Sequence, residues 1–324
     1  IKIINYIMKI ALIGPCMGTS IPPFGWGACE SIVWDYYINL KDSYEVTIFN
    51  DKNLKNIINQ INENNFDIIH IMYDEHINIV QHLLCEKIFY TSHYAYITHP
   101  DFETKFKNYF NKFLKKVIEN KDKLIINALS EKIKNIYIKY GFPENRINVL
   151  CNGAREDLFK YNLTPSKINK SVYIGKIEER KRQYIYQNIY NIDFVGNYYN
   201  SNFNRNNVNY LGEWNKETLY NNLTEYGNLI LLSDGEADPL VIKEALICGL
   251  GVVASECAYA NLDLSKPFIN VIPNNKLDDI KYVENIIKKN REISTSMREE
   301  IRKYAIENFT WKNIINKYIK LIQN

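Results

Sequence analysis

No stretch of about eighteen consecutive apolar residues occurs in the chain, so no membrane-spanning helix is expected. Charge of one sign is not in excess either. The 40 Lys and Arg stand against 37 Asp and Glu, and a net of +3 spread along the chain is too little to hold a nucleic-acid backbone. The six cysteines (Cys16, Cys29, Cys85, Cys151, Cys248, Cys257) form no Cys-x-x-Cys pair and have no histidine at zinc spacing. They read as reduced thiols of a cytoplasmic protein. A secretory leader is not expected. Residues 1–13 are rich in Ile, but Lys2, Asn5 and Lys9 interrupt the run and no small-residue cleavage site follows. Met8 opens the first expected strand, with residues 1–7 as an extension.

What is present is apolar surface for two domains: 324 residues, 46% of them hydrophobic. The wealth of Asn, Ile, Lys and Tyr points to A+T-rich codons, as in a low-G+C bacterium or a large DNA virus, and the Asn-rich patches at 62–65 and 204–209 read as loops. Short apolar runs alternate with helical patterns. Strands are expected at 9–14, 45–49, 68–72, 88–91, 124–127 and 147–150, with helices at 28–40 and 129–140. After a polar segment at 152–169 the alternation restarts, with strands at 172–175, 193–196, 229–232, 252–254 and 268–271 and helices at 218–225 and 241–248. Such alternation predicts crossover units and parallel sheets. The expected fold class is α/β: two Rossmann-like, doubly wound parallel-sheet domains with a cleft between them. The domains are placed at 1–155 and 156–308. A C-terminal helix at about 309–324, capped by Thr310 and striped by Ile314, Ile315, Tyr318, Ile319 and Ile322, completes the first.

The strongest functional signal runs from Ser233 to Leu246. A strand ends near Leu232, a loop carries Glu236, and a helix begins near Pro239, a residue suited to a first helical turn. Helix starts attract phosphate. Glu244, about one turn further in, can accept hydrogen bonds from ribose hydroxyls. Upstream, Val172-Tyr173-Ile174-Gly175-Lys176-Ile177-Glu178-Glu179-Arg180-Lys181 ends a strand in Gly and offers cations five apart. Such a cluster is either a solvated face or a seat for a diphosphate. Weaker signals lie in the first half: the loop Pro22 to Glu30 with Gly27, Thr91-Ser92-His93-Tyr94 after the fourth strand, and Asn152-Gly153. The loop at 22–30 is not the Gly-x-Gly-x-x-Gly fingerprint, which disfavours a nicotinamide cofactor. His93 is either a packed side chain or a wall of a sugar pocket. Asn-Gly is either a turn or a hinge.

These residues resemble the retaining GT-B glycosyltransferases of family four (group 1). Glu236 and Glu244 match the family's Glu, seven residues, Glu pattern, and Lys181 matches its Lys. Lys176 stands where Arg is commoner, and a Lys is a point charge rather than a fork. Asp238 departs from an aromatic position. Phe309-Thr310-Trp311 is similar to the start of the family's closing helix. The resemblance implies donor contacts from Lys176, Lys181, Glu244, Asp238, Pro239, Leu240 and Gly27, and catalytic roles for Glu236, His93 and Lys181.

It also implies transfer of a hexose from a UDP- or GDP-sugar, of UDP-glucose or GDP-mannose type, to a glycan, glycoprotein or lipid-linked acceptor. No Asp-x-Asp pair or ligand cluster suggests a metal, so neither a metal nor another cofactor is expected. Acceptor contacts are placed at 21–26 and 94–101. Retention by same-face attack and by double displacement both stay open. The rival readings are a two-domain nucleotide-sugar epimerase and a nucleotide-sugar-binding protein without turnover; a periplasmic binding protein of similar shape would need a leader.

Overall fold

The computed structural model describes residues 7–25, 27–99 and 101–323. Most of the expected N-terminal extension, Trp26 and Pro100 lie outside them. The chain divides into two compact units, Ile1–Cys151 with Ile314–Asn324, and Asn152–Asn313.

The first unit holds a six-stranded sheet built from β1 (Lys9–Ile13), β2 (Glu45–Phe49), β3 (Ile68–Ile71), β4 (Ile88–Tyr90), β5 (Leu124–Ala128) and β6 (Ile147–Val149). All pairs are parallel, in the order β2-β1-β3-β4-β5-β6. The interior strands β3 and β4 are buried at every residue, as continuous apolar runs such as Ile-Phe-Tyr demand of a sheet covered on both faces. β2 at the edge is mostly half-exposed. The sheet grows from β1 to one side with β2 and to the other with β3, so its switch point lies between β1 and β3.

The second unit holds β7 (Lys167–Ile174), β8 (Ile192–Val195), β9 (Tyr226–Leu231), β10 (Gly251–Ser255) and β11 (Ile269–Ile272), also parallel, in the order β11-β10-β9-β7-β8. Here the switch point lies between β7 and β9. Both sheets thus follow the doubly wound pattern.

Polar caps set the helix starts. Asn53, Ser130, Asn215 and Asp279 each accept a hydrogen bond from a backbone N–H three residues on. Thr310 caps the last helix through Asn313 N (3.3 Å). That helix, Trp311–Gln323, buries Ile314, Ile315, Tyr318 and Ile322 and half-buries Ile319, the stripe expected from helical spacing. Asn152-Gly153 is not a turn. A Cβ on Gly153 would sit 2.7 Å from the Trp311 ring, so glycine is needed for that close approach. Ala154 bonds on either side of Thr310, to Phe309 O (2.7 Å) and from Trp311 N (3.2 Å).

Candidate functional site

In open parallel sheets ligands settle beyond the carboxyl ends of the strands at the switch point. In the second unit those ends are the loops after β7 (residues 175–182) and after β9 (residues 232–239). The predicted residues of this domain lie on them and on the helix Leu240–Ile247. Close backbone approach builds the first loop. A Cβ on Gly196 would fall 1.9 Å from Gly175 O, and both glycines hold positive φ (+151° and +150°). Tyr173, buried in β7, joins the two loops: its hydroxyl donates to Lys181 O and accepts from Leu232 N (2.8 Å).

Lys181 Nζ lies 2.7 Å from Glu236 Oε1, and Arg180 Nη1 lies 2.9 Å from the same oxygen. The Glu236 side chain is only 11% exposed. Burial works against its charge, but Lys181 and Arg180 overcome that cost and hold its pKa below the ordinary glutamate value. Lys176 is more open. It stands 3.9 Å from the Tyr199 ring centre and 3.9 Å from Glu178.

Pro239 occupies the position before the helix and Leu240 begins it, with no side-chain cap on the first N–H groups among the described residues. Glu244, half-buried, has no side-chain hydrogen bond among the described residues. Burial raises its pKa, against a smaller opposing pull from Lys216.

Asp238, expected as a donor contact, is turned inward. Its carboxylate pairs with Lys243 and accepts from Asn152 N (2.6 Å) and Asn261 Nδ2 (3.0 Å), while its carbonyl accepts from Asn152 Nδ2 (2.9 Å). The Lys243 and Asp238 side chains are 1% and 0% exposed, and the Asn152 bonds fasten the loop after β9 to the start of the second unit.

In the first unit, Gly27 stands at the start of the helix Ala28–Leu40, against Pro23 and Glu30. His93 follows β4. Its Nε2 is enclosed with no hydrogen-bond partner among the described residues, and burial lowers its pKa to about 4. Nearby His70 bonds Thr91 Oγ1 (2.8 Å) and stacks on Tyr318 (5.4 Å between centres); burial and then His93 lower its pKa to about 3. Buried Asp74 accepts from Tyr90 (2.6 Å) and Tyr109, and Tyr109 bonds Ser92 (3.0 Å) beside His93. The expected acceptor loops differ from each other. Tyr94 and Tyr96 stack on Tyr109 and Phe106 (3.5 and 4.2 Å), whereas Phe24 is 94% exposed.

Residues 35–158 match the family model for Glycosyltransferase Family 4. Across the chain, the structure is similar to that of Anabaena HepE, solved in complex with UDP-glucose: TM-score 0.75, 15% identity, 98% of this chain and 99% of that one. Sucrose-phosphate synthase of Thermosynechococcus elongatus gives 0.74 at 15% identity over 98% of both chains. AviGT4, a glycosyltransferase involved in avilamycin A biosynthesis, gives 0.68 at 12% identity, over 98% of this chain and 97% of that one.

The chain has the GT-B glycosyltransferase fold.

A search of curated protein sequences finds no match. The likeness to group 1 GT-B glycosyltransferases therefore stands on the family-four segment and on the fold. Within this GT-B fold, two features escaped sequence reasoning. Arg180 belongs to the run Glu178-Glu179-Arg180-Lys181-Arg182, which by itself reads as a solvated face. The Asp238–Lys243 pair carried one signal, a charged residue inside the apolar helix 240–247. Among the described residues, no three His, Cys, Asp or Glu side chains are grouped to hold a metal, and no helix is long and apolar enough to cross a membrane.

Proposed function

We propose that this GT-B chain is a retaining glycosyltransferase. It moves a hexose from a nucleoside diphosphate sugar, of UDP-glucose or GDP-mannose type, to a glycan or other acceptor without a metal ion. One observation carries the reading: two cations meet one buried carboxylate at the switch point of the second sheet, beside an uncapped helix start. A departing nucleoside diphosphate develops charge on its phosphate oxygens. Lys181, Lys176 and the N–H groups from Leu240 onward supply fixed positive charge to meet it.

Glu236, kept ionised, accepts hydrogen bonds from donor-sugar hydroxyls, and Glu244 takes the ribose. His93 of the first unit, neutral at pH 7, meets uncharged hydroxyls rather than acting as a cation. Attack from the face the diphosphate leaves then retains configuration. UDP-glucose, the ligand of the HepE structure, is the first donor to test.

The test is proton NMR of the product formed from an α-linked UDP- or GDP-sugar and a glycan acceptor in EDTA. The expected product is α-linked and formed at an undiminished rate. A β-linked product contradicts retention, loss of activity in EDTA contradicts metal independence, and product formed without acceptor makes the enzyme an epimerase.

A further inference from the structure

Lys181 and Arg180 both touch Glu236, yet their remaining hydrogen-bonding capacity differs. Among the described residues Lys181 makes one side-chain hydrogen bond, to Glu236 Oε1, and keeps donors for a ligand. All three side-chain nitrogens of Arg180 are engaged. Its Nε and Nη2 donate to Glu178 Oε1 (3.1 and 2.6 Å), and its Nη1 donates to Glu236 Oε1 (2.9 Å), Ser233 Oγ (3.3 Å) and Gly235 O. Its carbonyl accepts from Asp234 N (2.9 Å). Side chain and main chain of this one residue therefore fix the loop 233–236 against the loop after β7. Both cations bind Oε1, and no described residue bonds Glu236 Oε2.

We propose that Arg180 is a positioning residue for the donor sugar: it locks the Glu236 carboxylate so that Oε2 faces the sugar hydroxyls, and it does not itself bind the diphosphate. This rests on the donor site proposed above. The planar fork reaches Glu178, the loop carbonyl and Glu236 at once, which a lysine ammonium at the same position cannot do. Holding a carboxylate in one orientation discriminates between sugars that differ in a single hydroxyl, because a misplaced hydroxyl leaves a buried partner unpaired.

The test is calorimetry and steady-state kinetics on the wild type, Arg180→Gln, Arg180→Lys, Glu178→Gln and Lys181→Ala. Ligands are UDP, GDP, the sugar nucleotide the wild type uses, and its C4 epimer. Arg180→Gln should bind the free nucleoside diphosphate as the wild type does. Its kcat should fall by about tenfold or more, and its preference between epimers should collapse. Arg180→Lys should not restore that preference. Glu178→Gln, which frees the guanidinium from its more exposed side, should show the same pattern more weakly and guards against a misfolded Arg180 variant.

Loss of diphosphate affinity in Arg180→Gln equal to that in Lys181→Ala would make Arg180 a phosphate ligand and overturn the proposal. An unchanged epimer preference would overturn it as well. A wild type that binds no nucleotide sugar would instead overturn the donor site on which it rests.

Discussion

The two sheets carry different kinds of polar chemistry. At the second sheet, charges are paired, Lys181 and Arg180 on Glu236 and Lys243 on Asp238, and the two cations hold the Glu236 pKa below the ordinary glutamate value. At the first sheet, buried polar groups are pushed towards neutrality. His70 and His93 lose basicity to burial, and burial raises the Asp74 pKa against the pull of two tyrosine hydroxyls. Cations with fixed carboxylates suit a ligand that brings its own charge, such as a diphosphate. Neutral imidazoles and tyrosines suit uncharged hydroxyls.

Breaking the charged side should cost most. Lys243→Ala leaves the Asp238 carboxylate buried and uncompensated, and should lower unfolding stability by about 3–5 kcal/mol in a denaturant titration. A loss below about 1 kcal/mol would mean that the pair counts for no more than a surface one.

Acid should separate the two regions. In the folded state His93 titrates at about 4 and His70 at about 3, against an unfolded value of 6.5. Between those values the unfolded chain binds more protons, so stability is full above pH 6.5 and falls as pH drops. Each histidine contributes a slope of up to about 1.4 kcal/mol per pH unit. Glu236 behaves differently, because its folded pKa lies below the ordinary 4.5. Its contribution is present above pH 4.5 and is lost only as pH falls through the lower, folded value. Hydrogen exchange between pH 6.5 and 4.5 should show the first domain loosening while residues 175–182 and 233–236 stay protected. Simultaneous loosening would dissolve the contrast.

The smallest effect is expected from Tyr109→Phe, which removes one of two tyrosine bonds to Asp74 and the bond to Ser92 beside His93. Stability should fall by about 1–3 kcal/mol in the same titration.

The strands were legible because parallel strands buried on both faces read as continuous apolar runs, as in Leu-Ile-Ile-Asn-Ala or Gly-Val-Val-Ala-Ser. β7 shows where that signal stops. Its first residues, Lys-Ile-Asn-Lys-Ser, are polar, and the strand was expected only from Val172. Lys170 pairs with Asp193 (2.6 Å) and Lys167 lies over the Tyr226 ring (4.9 Å), partners that no local pattern announces.

The same limit applies to the candidate site. Motif spacing pointed to Lys181 and Glu236, which the fold then brings together. Nothing local distinguished Arg180 from a solvated cation, or Asp238 from a sugar ligand, because their roles depend on Glu178, Gly235, Lys243 and Asn152 in three dimensions. The need for Gly153 arises from Trp311, more than 150 residues on. The family-four match, by contrast, covers residues 35–158, where the motifs were weakest.

The most direct test of the central claim is the thermal stability of the wild type and Lys181→Ala across a panel of UDP- and GDP-sugars, with and without EDTA. A ligand at a hundredfold excess over Kd stabilises the folded state by about 2.7 kcal/mol. The account predicts a clear upward shift in Tm with the sugars of one base, unchanged by EDTA and lost in Lys181→Ala. No shift with any nucleotide sugar at millimolar concentration, or the same shift in Lys181→Ala, would contradict a donor site at the second switch point.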